Sequence, residues 1–212
     1  MTTETMTVHE ALSELKMLNK RIPKEENSAT FVQTNKHSNS KIAGMAISEY
    51  EASIKAEYQK IRDLIKRRTA LKRAITQSNA VTTVEIGGEK MSVAEAIEYK
   101  VYGIDHIERL LQVITSQYQQ CKIAIERSNG DNLEEKANDY VARLFGNKDN
   151  TDREAIEQSK RTYIENNTLD LINPLGAEKV VEQLNDEIAR FTSKVDSVLS
   201  VSNALTTITI NY

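Results

Sequence analysis

Apolar side chains recur at helical spacing along most of this chain. Ala11, Leu15, Leu18 and Ile22 step by four, three and four residues, the rhythm of one buried helix face. The spacing predicts a first helix over about Val8–Ile22, stopped by Pro23, which lacks an N–H and clashes with the preceding turn. A second helix is predicted over about Glu49–Gln77. Its seam reads Ile47, Tyr50, Ile54, Tyr58, Ile61, Leu64 with Ile65, Arg68, Leu71 and Ile75, close to the 3.5-residue repeat that calls for a supercoiled partner. A third and longest run carries Val93, Ile97, Val101, Ile104, Ile107, Leu111, Ile114, Tyr118, Cys121 and Ile125 before Asn129-Gly130. Roughly 36 helical residues span about 54 Å, so an elongated molecule is expected. Gly103 interrupts this run at a cost of about 1 kcal/mol relative to alanine, allowing a close approach or a bend. Shorter helices are expected over 133–145 and 152–166. A turn-rich link, Leu171–Gly176, leads to a last helix bearing Ala177, Val181, Leu184, Ile188, Phe191, Val195 and Val198.

Helix starts carry their own marks. A Ser or Thr followed three residues later by Glu forms a capping box, satisfying backbone N–H groups that have no partner inside the helix. Thr7/Glu10, Ser48/Glu51, Ser92/Glu95 and Thr151/Glu154 fit it, and Asp131/Glu134 is a looser version. Between the first two helices, residues 23–46 are polar and irregular, with one strand candidate at Ala29–Val32.

Two long helices are followed by the same segment. Ser78-Asn79-Ala80-Val81-Thr82-Thr83-Val84-Glu85-Ile86 matches Ser202-Asn203-Ala204-Leu205-Thr206-Thr207-Ile208-Thr209-Ile210. The alternating, β-branched end of each copy predicts a strand, and Gly87-Gly88 is a two-residue hairpin signal. Each Asn suits the point where helix gives way to strand. If both strands join one sheet, the two helices end together. The expected fold is mainly α: an elongated antiparallel helical bundle or coiled coil, one domain over 1–212, with a small β-cap from 78–92 and 202–212. A two- or three-stranded cap leaves open edges, so the final strand is expected to pair with a neighbouring subunit. The expected contact residues are Leu205, Ile208, Ile210 and Tyr212, with Val84 and Ile86 of the hairpin.

Composition supports a narrow core. The 212 residues are 39% hydrophobic and 28% charged, without Trp and with three Phe, which suits seams between helices rather than a thick aromatic core. The seven Gly and two Pro leave few turns. The polar Met1–Val8 has no signal-type apolar core, and no run approaches a membrane span. The single Cys excludes an internal disulfide or Cys-based zinc site; Cys121 lies in an apolar stripe and is expected to be a buried small hydrophobe.

No sequence pattern of a hydrolase, phosphate loop or metal site appears, and His9, His37 and His106 are scattered. No enzyme activity, cofactor or metal is therefore expected. One basic concentration stands out: Lys60, Arg62, Lys66, Arg67, Arg68, Lys72 and Arg73. Lys66, Arg67, Lys72 and Arg73 are candidates for contact with an acidic partner or nucleic acid. The net charge of −3 and the lack of interleaved aromatics disfavour nucleic acid. The bland expectation is a solvated face, with Arg68 pairing to a carboxylate across the seam.

The stretch Leu64–Leu111, with Thr76-Gln77-Ser78-Asn79-Ala80, Thr82, Gly87-Gly88 and Ser92-Val93-Ala94-Glu95-Ala96-Ile97, resembles the septicolysin-like helical proteins of bacteria and phages. The last helix with Ser202-Asn203-Ala204 is similar. Residues 131–170 depart from that pattern and read as a helical insertion. The whole chain also resembles phage- and prophage-encoded proteins. These resemblances imply an oligomeric, non-enzymatic virion protein assembled in the bacterial cytoplasm, either a capsid accessory or decoration protein or a tail or baseplate component. It would bind itself or other virion proteins and no membrane. The alternative expectation is a cytoplasmic helical adaptor or regulator.

Overall fold

The computed structural model describes residues 2–146 and 153–212. The predicted Thr151/Glu154 capping box and the predicted helix start at Asp152 fall at or beyond the edge of that range. The fold is mainly α with small antiparallel strand pairs. It divides into two units, one of Met1–Tyr102 with Arg190–Tyr212 and one of Gly103–Ala189.

In the first unit, strand β1 (Thr3–Thr7) leads into helix α1 (Val8–Ser28). Thr7 caps it: its Oγ1 accepts from the Glu10 N–H at 3.2 Å while the Glu10 carboxylate accepts from the Thr7 N–H at 2.8 Å. Pro23 does not end this helix. It lies inside it, and the turn beyond is held from outside by Lys60 donating to Glu25 at 2.5 Å, and from within the helix by Arg21 pairing with Glu25 at 3.4 Å. The candidate strand at Ala29–Val32 is unpaired; Phe31 instead meets the Tyr58 ring edge-on at 6.4 Å.

A minimal hairpin follows, β2 (Lys41–Ile42) and β3 (Met45–Ala46), and opens helix α2 (Ile47–Val81). Ser48 does not cap α2. The helix starts earlier, at Ile47, and the N–H of Ala46 just before it donates to Glu49 at 3.2 Å. Strands β4 (Thr83–Ile86) and β5 (Glu89–Ser92) form the predicted hairpin about Gly87-Gly88, at φ 65° and 95°, where a Cβ is disfavoured. Helix α3 (Val93–Glu98) then passes through a π-helical turn, Tyr99–Gly103, into α4 (Ile104–Ser128). Gly103 thus marks a register change in the longest predicted helix.

The last strand, β6 (Thr207–Asn211), follows helix α7 (Ala177–Leu205) and does not join the β4–β5 hairpin. It pairs antiparallel with β1, Thr3 opposite Asn211 and Thr7 opposite Thr207. The expected single cap is therefore separate two-stranded sheets. The physical reason lies in a second internal match. Met6-Thr7-Val8-His9-Glu10-Ala11 parallels Met91-Ser92-Val93-Ala94-Glu95-Ala96. Each offers β6 or β4 the same partner strand and capping box. The order helix, strand, strand, helix occurs as α2–β4–β5–α3 and again as α7–β6–β1–α1, joined in the second case by the two ends of the chain.

The two copies match in detail. The Thr82 N–H donates to the Ser78 carbonyl, and the Thr206 N–H to the Ser202 carbonyl, both at 2.9 Å. The Thr82 and Thr206 carbonyls accept from Val93 and Val8, again at 2.9 Å. Val8 and Val93, Ala11 and Ala96, Ile86 and Ile210, and Leu71 and Val195 occupy corresponding positions, and all are buried. Asn79 and Asn203 stay within the helices, so the transition falls at Thr82 and Thr206. One core gathers Val8, Ala11, Leu18, Ile22, Leu71, Ile75, Ile208 and Ile210. Each large aliphatic there contributes about 1.5–3 kcal/mol by leaving water.

The second unit holds α4, α5 (Asp131–Phe145), α6 (Arg153–Asn167) and the start of α7. Helices α5 and α6 form a pair around Leu133, Ala137 and Val141, with Tyr140 stacked on Tyr163 at 4.8 Å. Asn129 exchanges two bonds with the Leu169 backbone, at 2.9 and 3.0 Å. The Asn173 carboxamide caps α7 by accepting from Ala177 at 2.8 Å. Cys121 is exposed rather than buried; it borders a shallow cleft with Tyr118 and Ile172.

Candidate functional site

Helix α2 carries the largest concentration of one charge. Between Lys60 and Arg73 seven cations stand against one carboxylate, Asp63. That is +6 in a chain of net charge −3, so the remainder carries −9. The corresponding stretch before the second repeat, Leu184–Ser197, contains Asp186, Glu187, Arg190, Lys194 and Asp196, a net −1. Since the repeat occurs with either charge pattern, a strongly basic stretch as such is not required by it.

The cations divide into two sets. Arg67 turns inward. Its Nη2 donates to Glu14 at 2.8 Å and its Nη1 to Glu4 at 2.8 Å, a second bond reaches Glu14 through Nε, and Nη1 also meets the Tyr212 hydroxyl. The guanidinium lies 4.7 Å from the Tyr212 ring centroid. Hydrogen bonds to Glu14 first, then Glu4, raise the Arg67 pKa above its ordinary value. The bond from Arg67 holds the Glu4 carboxyl below the ordinary glutamate value. Arg67 is thus a structural clamp rather than a free contact. At the corresponding place in the other copy, Tyr99 meets Phe191 edge-on at 4.7 Å, so one position uses an ion pair where its counterpart uses two rings. Arg68 does not find a carboxylate; it donates to the Asn19 carboxamide at 2.5 Å.

The outward set is Arg62, Lys66 and Arg73, joined by Lys72 to one side. All four are exposed. Lys66 reaches Asp63 only at 3.8 Å, and Arg62, Lys72 and Arg73 have no carboxylate within ion-pair distance among the described residues. Positions 62, 66, 69 and 73 fall on one helix face at 100° per residue. There Arg62, Lys66, Thr69 and Arg73 border a cleft of about 350 Å³ whose far wall is Asn211 and Tyr212. The free cations form a row, while Arg67, singled out by the sequence, is already engaged.

The expected strand contacts are mostly inside the chain. Val84, Ile86, Ile208 and Ile210 are buried, because alternation turns one face of each strand onto a helix. Tyr212 lies against Arg67. Leu205 alone of that set is open, at 78% exposure. Its counterpart Val81 is likewise 80% exposed. The repeat therefore places an aliphatic side chain in solvent at the end of both helices. Ile97, Val101 and Tyr102 add exposed apolar surface. The segment Met6–Ala11 against Met91–Ala96 was the available signal for the pairing that buries Ile208 and Ile210.

A further, mainly apolar groove of about 730 Å³ runs along an adjoining part of α2, lined by Phe31, Ile54, Tyr58 and Ile61, and shares Arg62 and Ile65 with the first cleft. Among the described residues no cluster of three or more His, Cys, Asp or Glu is placed to hold a metal ion. No helix there is long and apolar enough to cross a membrane. The chain matches no known protein family, no curated protein and no solved structure.

Proposed function

We propose that this chain is a non-enzymatic structural protein that works through contacts between subunits, and that its place is in a phage virion, as a capsid accessory or decoration protein or a tail or baseplate component. The observation that carries the contact reading is the pair of exposed aliphatics, Val81 and Leu205, at corresponding positions of the repeat. Single exposed apolar residues are ordinary on protein surfaces. Retention of one at both helix ends, where neither packs inside the chain, fits burial against another molecule. The virion assignment rests on the resemblance of Leu64–Leu111 and of the last helix to phage-associated helical proteins. The reading holds the partners to be further copies of the chain or other virion proteins.

A second reading, a cytoplasmic adaptor, is favoured by the groove of Phe31, Ile54, Tyr58 and Ile61. An amphipathic helix of another protein suits such a groove. Mass spectrometry of purified virions separates the two: the chain is found in particles on the first reading and absent on the second. Val81→Ser with Leu205→Ser tests the contact itself. Association falls while helix content stays unchanged; unaltered association would remove these positions from the contact.

A further inference from the structure

The outward cations of α2 call for an acidic partner, and the chain itself contains a matching surface. Helix α5 carries Asp131, Glu135 and Asp139 at successive four-residue steps. All three are exposed, and none is paired with a cation among the described residues. The row spans about 12 Å along the helix. Arg62 and Lys66 are separated by the same four-residue step, with Arg73 further along the same face. The α5 row also gains from its position, since Asp131 opens the helix and carboxylates are favoured at a helix N-terminus. The −9 borne by the chain outside Lys60–Arg73 gives a second copy the right overall sign to be drawn toward this row.

We propose that the Arg62–Lys66–Arg73 row of one copy docks on the Asp131–Glu135–Asp139 row of another. This deepens the subunit-contact reading above and rests on it. The two rows lie in different parts of the chain, so the contact either forms twice in a closed two-fold dimer or propagates from copy to copy. Exposed pairs are weak singly and screened by salt, so the contact sets register and direction while apolar surface supplies affinity.

The test is sedimentation of the full chain at low and high salt, with two charge-reversed variants. One carries Arg62→Glu, Lys66→Glu and Arg73→Glu; the other carries Asp131→Lys, Glu135→Lys and Asp139→Lys. Three exposed pairs together correspond to roughly a tenfold change in dissociation constant. Each variant alone is expected to associate at least that much more weakly than the native chain at low salt. An equimolar mixture of the two, in which both rows again meet opposite charge, is expected to recover association. Association of the native chain that neither variant alters overturns the row-to-row contact and leaves the subunit-contact reading standing. A native chain that never associates overturns the row-to-row contact and self-association together, leaving other virion proteins as the partners. Weakening in the first variant only, together with retention of a single-stranded oligonucleotide by the native chain, overturns the contact in favour of a nucleic-acid surface.

Discussion

Exchanging the Arg67 clamp for its counterpart in the other copy tests whether the repeat is a true structural equivalence. Arg67 and Glu14 are about one-fifth exposed, at 20% and 19% of their side-chain surface. Arg67→Phe alone leaves the Glu14 carboxylate half-buried without its bidentate partner. Breaking a fully buried pair costs about 3–5 kcal/mol; the residual exposure lets water solvate Glu14, so about 2–3 kcal/mol is expected. That corresponds to a fall in melting temperature of roughly 5–10 °C for a chain of this size. Glu14→Tyr with Arg67→Phe places at this site the two residue types that pack at Tyr99 and Phe191. Replacing an ion pair by packed apolar groups is often neutral or stabilising. The double variant should recover most of the lost stability, a coupling of about 2 kcal/mol in a double-mutant cycle followed by denaturant unfolding. A double variant as unstable as the sum of its parts would refute the equivalence.

Other consequences follow from the same arrangement. Thr7→Ala and Ser92→Ala should each cost about 1 kcal/mol, read as a shift of the unfolding midpoint, because each removes one side of a capping box. Backbone hydrogen bonds from Thr7 and Ser92 hold the Glu10 and Glu95 carboxyls below the ordinary glutamate value. Their stabilisation is complete above that ordinary value and is lost as pH falls through the depressed one; a titration in which stability rose on acidification through this range would contradict it. Ile208→Asp with Ile210→Asp should lower helix content as well as assembly, since both side chains lie in the core; circular dichroism decides. Thr2 and Tyr212 exchange backbone bonds at 3.0 and 3.3 Å. A permuted chain in which two glycines join Tyr212 to Thr2, and which opens between Gly87 and Gly88, should therefore fold with native helix content. Collapse of that chain would show the two strand pairs to be less alike than they look.

Most helices were legible because each combines an apolar period with a capping signal, as at Thr7/Glu10 and Ser92/Glu95. Ser48/Glu51 misled because Glu49 serves Ala46 instead, two residues upstream. Pro23 misled because local propensity competes with tertiary contacts, and Glu25 is held by Lys60 from α2. The alternation in Thr207–Ile210 announced a strand but not its partner, which came from the far end of the chain. β1 is nearly all polar, with Met6 its only apolar residue, and gives no alternation signal. For the candidate surfaces, residue type located the basic stretch, but separating the engaged Arg67 from the free Arg62, Lys66 and Arg73 required the positions of Glu4, Glu14 and Tyr212. Leu205 was found as a contact candidate from the repeat; the burial of its neighbours Ile208 and Ile210 followed only from the pairing of β6 with β1.

Association with copies of itself or with other particle proteins is the role proposed for this chain. Sedimentation equilibrium of the purified native chain over a wide concentration range at low salt tests its self-association most directly. Mass is expected to rise with concentration above that of the 23.9 kDa chain; a single species of that mass at every concentration would rule out self-association.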